Sequence, residues 1–149
     1  MKKQYEEIKS FMEDYFKDYS SYAQDTETMP KMDKYWTPDV IATAYMKLKG
    51  RDYPLQYRNR KDWQQFLIEG HRKIWENLIP REIMIDLETM KVTTLLQIVK
   101  FDRTNDKQLC DLDGICFYRL IVNEDQEPQI RTLDFFTGDQ ATFTQLYEI

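Results

Sequence analysis

Cysteine and histidine are nearly absent: the 149 residues hold two of the first and one of the second. Cys110 and Cys116 are too few for a disulfide framework, and with a single imidazole they complete no zinc set, so neither a metal nor a cofactor is expected. No stretch approaches the ~20 apolar residues that span a bilayer. The segment Met1-Lys2-Lys3-Gln4-Tyr5-Glu6-Glu7 is charged where a signal peptide is apolar, which predicts a cytoplasmic protein with no membrane partner. A basic face is lacking too. Net charge is −5, and the one basic cluster, Arg58, Arg60 and Lys61, stops at Asp62, so no nucleic-acid partner is expected.

Aromatic residues, in contrast, make up 14% of the chain: ten Tyr, eight Phe and three Trp. Each brings a large apolar area, and Tyr and Trp add a polar tip, which suits a core, a pocket wall or a subunit interface. With 42% hydrophobic and 32% charged residues, the composition is that of a globular protein. The length fits one domain, residues 1–149, able to bury roughly 68–70% of its unfolded surface.

Tyr5, Ile8, Met12, Tyr15, Tyr19 and Tyr22 recur at helical spacing, with Phe11 and Phe16 widening the stripe, which predicts a helix over about 4–24. Asp25 to Pro30 is a polar break. A short helix from Pro30 would carry Met32, Tyr35 and Trp36, and Thr37-Pro38-Asp39 reads as a turn. Val40 to Lys49 alternates as a strand, with Val40, Ala42, Ala44, Met46 and Leu48 on one side. Tyr53 to Arg58 suggests a second, short strand. Helical spacing returns over Lys61 to Leu78, capped by Asn59 or Asp62 and ended by Pro80. Ile83–Thr89, Val92–Arg103, Gly114–Val122 and Gln129–Thr137 read as strands. Arg103 to Lys107, Asp111 to Gly114 and Asn123 to Pro128 read as turns. Strands grouped apart from helices imply an antiparallel sheet with helices on one face.

This order, together with Tyr35-Trp36-Thr37-Pro38-Asp39-Val40-Ile41, the run Arg60 to Leu67 and the run Gln129 to Asp139, resembles the nuclear transport factor 2-like (SnoaL-like, cystatin-like) superfamily. The resemblance implies an α+β fold in which a strongly curved, antiparallel or mixed sheet wraps about three helices as a cone-shaped barrel. It also implies a small apolar or aromatic ligand in the mouth of that cone. The walls would be Tyr15 and Tyr19, Tyr35 and Trp36, then Phe66, Gly70, His71 and Trp75, together with the concave sheet face and Phe117.

Three residues are candidates for chemistry. His71 stands in an apolar stripe beside Leu67 and Trp75, as a general base or acid facing the pocket or as a core imidazole satisfied by one partner. Arg119 and Asp134 would share a face with Phe117 and Thr132 if the last hairpin pairs Ile121 with Ile130, either as a catalytic pair or as a structural ion pair. Such a pair is similar in kind to the Asp–Arg–Asp set of limonene epoxide hydrolases, but Phe117 and Ile121 stand where the neighbouring pattern of those enzymes would be. The base of ketosteroid isomerases is replaced by Ala44, and the two histidines of scytalone dehydratases are not both present. Tyr19, Tyr22 and Tyr45 either orient a substrate hydroxyl or carbonyl or, as such tyrosines more often do, pack as rings with a hydrogen-bonded tip. Asp111-Leu112-Asp113-Gly114 opens like a calcium loop, but its twelfth position is Val122. Cys110 and Cys116 have no basic neighbour to activate them.

Apolar residues occupy both parities of the runs Thr93 to Phe101 and Ile115 to Val122. Since helices cover one sheet face, a second copy of the chain is expected to cover the other, as often happens among proteins of the resembled superfamily. The function implied is a small-molecule binding protein or cofactor-free isomerase, cyclase or hydrolase. A non-catalytic dimeric interaction module is the alternative.

Overall fold

Ile8, Met12, Tyr15, Phe16, Tyr19 and Tyr22 are all buried along one side of α1 (Lys2–Gln24), and the Glu and Lys residues between them face solvent. The computed structural model describes residues 2–137. After α1 the Asp25 side chain accepts a hydrogen bond from Glu27 N and opens a 3-10 helix, Thr26–Tyr35. This helix starts four residues before the Pro30 expected to open it, because Asp25 supplies the cap first.

Strand β1 (Trp36–Ala44) begins at once. Thr37-Pro38-Asp39 is therefore a bulge inside the strand, where the pairing register shifts between Trp36 and Ile41, and not a turn. Val40, Ala42, Ala44, Met46 and Leu48 are all buried, as their alternation predicts. β2 (Leu55–Tyr57) follows, then α2 (Arg60–Gly70), whose first turn is capped by Asn59 Oδ1 accepting from Asp62 N at 2.8 Å.

The helix expected to reach Leu78 ends at Gly70. Ile74 already belongs to β3 (Ile74–Asp86). Ile74, Trp75 and Leu78 fit a helical stripe, but a β-branched and an aromatic residue just past a glycine also suit a pleated strand, and here the sheet claims them. Pro80 sits within β3 at the point where the register against the next strand shifts, a position that tolerates its missing N–H.

β4 (Lys91–Asp102), β5 (Gln108–Val122) and β6 (Pro128–Thr137) complete a meander. The run Asp111 to Gly114 lies inside β5 and is not a turn. The β4–β5 hairpin turns earlier, where Asp102 Oδ1 accepts from Thr104 N at 2.8 Å. The six strands lie in the order β2-β1-β6-β5-β4-β3. All neighbours are antiparallel except β1 and β6, which run parallel, so the sheet is mixed; among the described residues β2 and β3 are its edges and it does not close into a barrel.

Burial along β5 shows which face the helices cover. Gly114, Cys116, Tyr118 and Leu120 are buried, whereas Ile115, Phe117, Arg119 and Ile121 are exposed. At Gly114 the absence of a Cβ spares a close approach, since one built there would meet Ile98 Cδ1 at 2.6 Å and the Phe136 carbonyl oxygen at 3.2 Å, and its neighbours would have to shift. Arg103 ties one end of the molecule together: its guanidinium donates to the carbonyls of Ala23 and Gln24 at the end of α1, of His71 just past α2, and of Ile74 at the start of β3, meeting part of the open carbonyls of both helix ends with one side chain. Among the described residues no helix is long and apolar enough to cross a membrane. Gly138 and Asp139, the end of the last resembling segment, lie outside the described residues.

Candidate functional site

Between α1, α2 and the inner face of the sheet lies a cavity of about 50 Å³, counted as the volume open to the centre of a water molecule. Its wall is mostly ring and aliphatic surface, including Tyr15, Trp63, Phe66, Leu96, Tyr118 and Phe135. One side is different. There Tyr19 and Glu76 belong to the wall, and Glu76 is 4% exposed.

A carboxylate so deeply buried needs partners. Lys100 lies directly opposite Glu76 in the β3–β4 register, and its Nζ is 2.9 Å from Oε2. His71 Nε2 is 2.9 Å from Oε1, and the Tyr19 hydroxyl donates to the same oxygen at 3.0 Å. His71 Nδ1 is 3.0 Å from the Tyr22 hydroxyl. A neutral imidazole carrying its proton on Nε2 satisfies both contacts, donating to Glu76 and accepting from Tyr22. Burial on its own would raise the Glu76 carboxyl. The Lys100 ammonium and the His71 hydrogen bond outweigh it and hold the group well below the usual carboxylate range. Glu76 is thus an anion whose charge Lys100 balances inside the core.

The bulge in β3 creates this pairing. Beyond it, Asp86 pairs with Lys91 and Glu82 with Leu95; before it, Pro80 pairs with Leu96 and Glu76 with Lys100. Carrying the outer register through without the shift would set Glu76 opposite Phe101.

The other polar atoms of the wall stay uncharged. Burial raises the hydroxyls of Tyr15 and Tyr118 above the usual phenol range and pushes the Cys116 thiol up to about 12. Trp63 is 5% exposed, and its Nε1–H has no hydrogen-bond partner among the described residues.

Of the residues expected to wall a pocket, Tyr15, Tyr19 and Phe66 do so. Tyr35 and Trp36 are buried one layer away: Tyr35 donates to Asp18, and Trp36 meets Tyr15 edge-on at 5.9 Å. His71 is buried behind Glu76 and reaches the cavity through it. Trp75 lies elsewhere, stacked on Phe101 at 4.2 Å with its Nε1–H donating to Asp106, because the chain there is strand and not helix. Arg119, Asp134 and Phe117 do share a face, with Asp134 opposite Phe117 and Arg119 opposite Thr132. A register shift between Arg119 and Leu120 pairs Ile130 with Leu120 instead of Ile121. That face is the outer one, opposite to the cavity side of Cys116, Tyr118, Leu133 and Phe135. Burial raises the Asp134 carboxyl there.

Glu76 and Lys100 escaped the sequence reading. The available signal was parity: Lys100 continues the inward series Leu96 and Ile98, and Glu76 sits between Ile74 and Leu78. Reading residues 61–78 as helix hid the second of these. Among the described residues no group of three His, Cys, Asp or Glu side chains is placed to hold a metal ion.

The sequence matches no protein-family model and no curated protein. Solved structures do match. A ketosteroid isomerase-like protein from Erwinia carotovora atroseptica is 8% identical with a TM-score of 0.64, covering 89% of this chain and 95% of that one. ActVI-ORFA from Streptomyces coelicolor is 12% identical with a TM-score of 0.64, over 91% and 97% of the two chains. A protein of unknown function with a cystatin-like fold, from Methylobium petroleophilum, is 15% identical with a TM-score of 0.60, over 87% and 77%.

Proposed function

We propose, from the premise that this chain has the cystatin-like α+β fold of the nuclear transport factor 2-like superfamily, that it binds a small, mostly apolar molecule in the cavity between α1, α2 and the sheet. The observation that carries this reading is the composition of the wall. Aromatic and aliphatic surface surrounds one neutralised polar pole, Tyr19 with Glu76, and Trp63 of the wall has an indole N–H without a partner among the described residues. Apolar walls with a few fixed polar groups are the usual form of a ligand site. The volume holds a few water-sized groups, which suits the end group of a ligand whose remainder lies at the rim.

Binding fits the chemistry of the pole better than proton transfer does. The Glu76 carboxylate, held below its usual range, is a weak base, and the Tyr15, Tyr118 and Cys116 groups, held above theirs, stay protonated. Titration with toluene and phenol, followed through the methyl resonances of Ala44, Leu78 and Leu96, tests the reading. Shifts confined to these wall residues and lost in Ala44→Leu support it. Absence of any shift in the wild-type protein refutes it.

A second reading concerns the outer face, where Ile115, Phe117 and Met84 are 39%, 44% and 45% exposed. Leu95, Ile115 and Phe136 form one continuous cross-strand row there, and Tyr45 stacks on Phe136 at 4.2 Å. Such a patch suits a twofold interface with a second copy of the chain, whether as a ligand-binding dimer or as a non-catalytic interaction module. Sedimentation of wild type against Phe117→Glu decides this: a dimer converted to a monomer supports the interface, and a wild-type monomer at all concentrations refutes it.

A further inference from the structure

The bonding of Glu76 says more about the ligand than the apolar wall does. A carboxylate has about four lone-pair sites. Oε1 uses two, on Tyr19 and His71, and Oε2 uses one, on Lys100. These three bonds come from inside the cluster and fix the orientation of the carboxylate. Glu76 nevertheless belongs to the cavity wall. What it offers a guest is a remaining acceptor site on an oriented, ionised oxygen.

We infer that the cavity selects a neutral hydroxyl compound, an alcohol or a phenol, whose O–H donates to the Glu76 carboxylate. This deepens the proposed binding function and rests on it. A hydroxyl supplies the hydrogen that a carboxylate can only accept. A hydrocarbon leaves that site unmet, and a carboxylate guest would place two anions together in a dry site. A cationic amine also donates, but Glu76 and Lys100 already cancel, so it would bring an uncompensated positive charge into the core. The hydroxyl oxygen also retains acceptor capacity, and Trp63, one of the wall residues, has an indole N–H without a hydrogen-bond partner among the described residues.

The test compares guests of matched shape in the wild-type protein, again by the methyl shifts of Ala44, Leu78 and Leu96. Phenol should bind about tenfold or more tighter than toluene, the ratio expected of one hydrogen bond to a charged acceptor. Cyclopentanol should likewise bind tighter than cyclopentylammonium. In the double variant Glu76→Gln/Lys100→Met, which removes both charges together, the preference for phenol should fall to about twofold or less. Toluene binding as tightly as phenol would overturn the inference while leaving the cavity a ligand site. A tighter cyclopentylammonium would overturn it too, as would a phenol preference that persists undiminished in the double variant. No wall shift with any guest would remove the binding function and this inference together.

Discussion

His71 Nε2 lies 2.9 Å from Oε1 of Glu76, a residue five positions further along the chain, so a single bond ties the end of α2 to the start of β3. The same oxygen accepts from Tyr19 on α1, and the other oxygen faces Lys100 on β4. Four elements therefore meet on one carboxylate. Removing only the balancing charge, in Lys100→Met, should lower stability by about 3–5 kcal/mol, because it strands a buried anion. Glu76→Gln/Lys100→Met should recover most of that loss. Urea unfolding of the two variants measures both, and equal losses would contradict the neutralised-pair account.

The same cluster sets a pH dependence. The folded-state carboxyl of Glu76 lies below its ordinary value of 4.5. The unfolded chain therefore takes up this proton first, and the stability contributed is complete above about pH 5 and is lost as pH falls through and below the ordinary glutamate range. Stability measured from pH 6 to pH 3 should fall more steeply for wild type than for Glu76→Gln/Lys100→Met. Parallel curves would count against it.

Gly114→Ala places a methyl against Ile98 Cδ1 and the Phe136 carbonyl. Overpacking of this kind costs about 1–3 kcal/mol. Ile98→Val, which deletes the carbon in closest approach, should by itself cost about 0.5–1.5 kcal/mol. Combined with Gly114→Ala it should cost less than the two single losses together. A double-mutant cycle by chemical denaturation reads this directly, and strict additivity would show that Ile98 is not the obstacle.

Arg103 reaches four carbonyls from two helix ends and the first residue of β3. Lysine keeps the charge but not the planar fork. Arg103→Lys should therefore lose most of what Arg103→Met loses, about 1.5–3 kcal/mol. Full rescue by lysine would mean that charge alone, and not the geometry of the donors, closes this end.

Asp134 lies on the sheet face away from the cavity, opposite Phe117. Asp134→Asn should leave phenol binding unchanged. Because burial raises the Asp134 carboxyl, its ionisation opposes folding at neutral pH, so the variant should be at least as stable as wild type there. A marked loss of the ligand signal would return Asp134 to the site.

Local pattern was enough for much of the architecture. The aromatic stripe of α1, the buried alternation from Val40 to Leu48 and the Asn59 cap each depend on neighbours within a few residues and are found as the sequence implies, although the strand itself runs Trp36–Ala44 and stops short of the expected Lys49. The resemblance to cystatin-like proteins likewise rests on element order, which the chain carries openly. The sequence also supplied Tyr15, Tyr19 and Phe66 as cavity-wall residues.

What escaped it was register and the end of one helix. Ile74 to Leu78 fits a period of 3.6 and a period of 2 over so short a run, and only sheet pairing chooses between them. The β3 bulge near Pro80 then decides that Glu76 meets Lys100 and not Phe101. A second shift, between Arg119 and Leu120, alters which residues of the last hairpin lie opposite one another. Which sheet face the helices cover decides that Cys116 and Tyr118 border the cavity while Phe117, Arg119 and Asp134 point away from it. Side-chain chemistry was legible residue by residue. Its assembly into a site was not, because a one-residue slip between strands distant in sequence costs little in local propensity yet exchanges every inward side chain for an outward one.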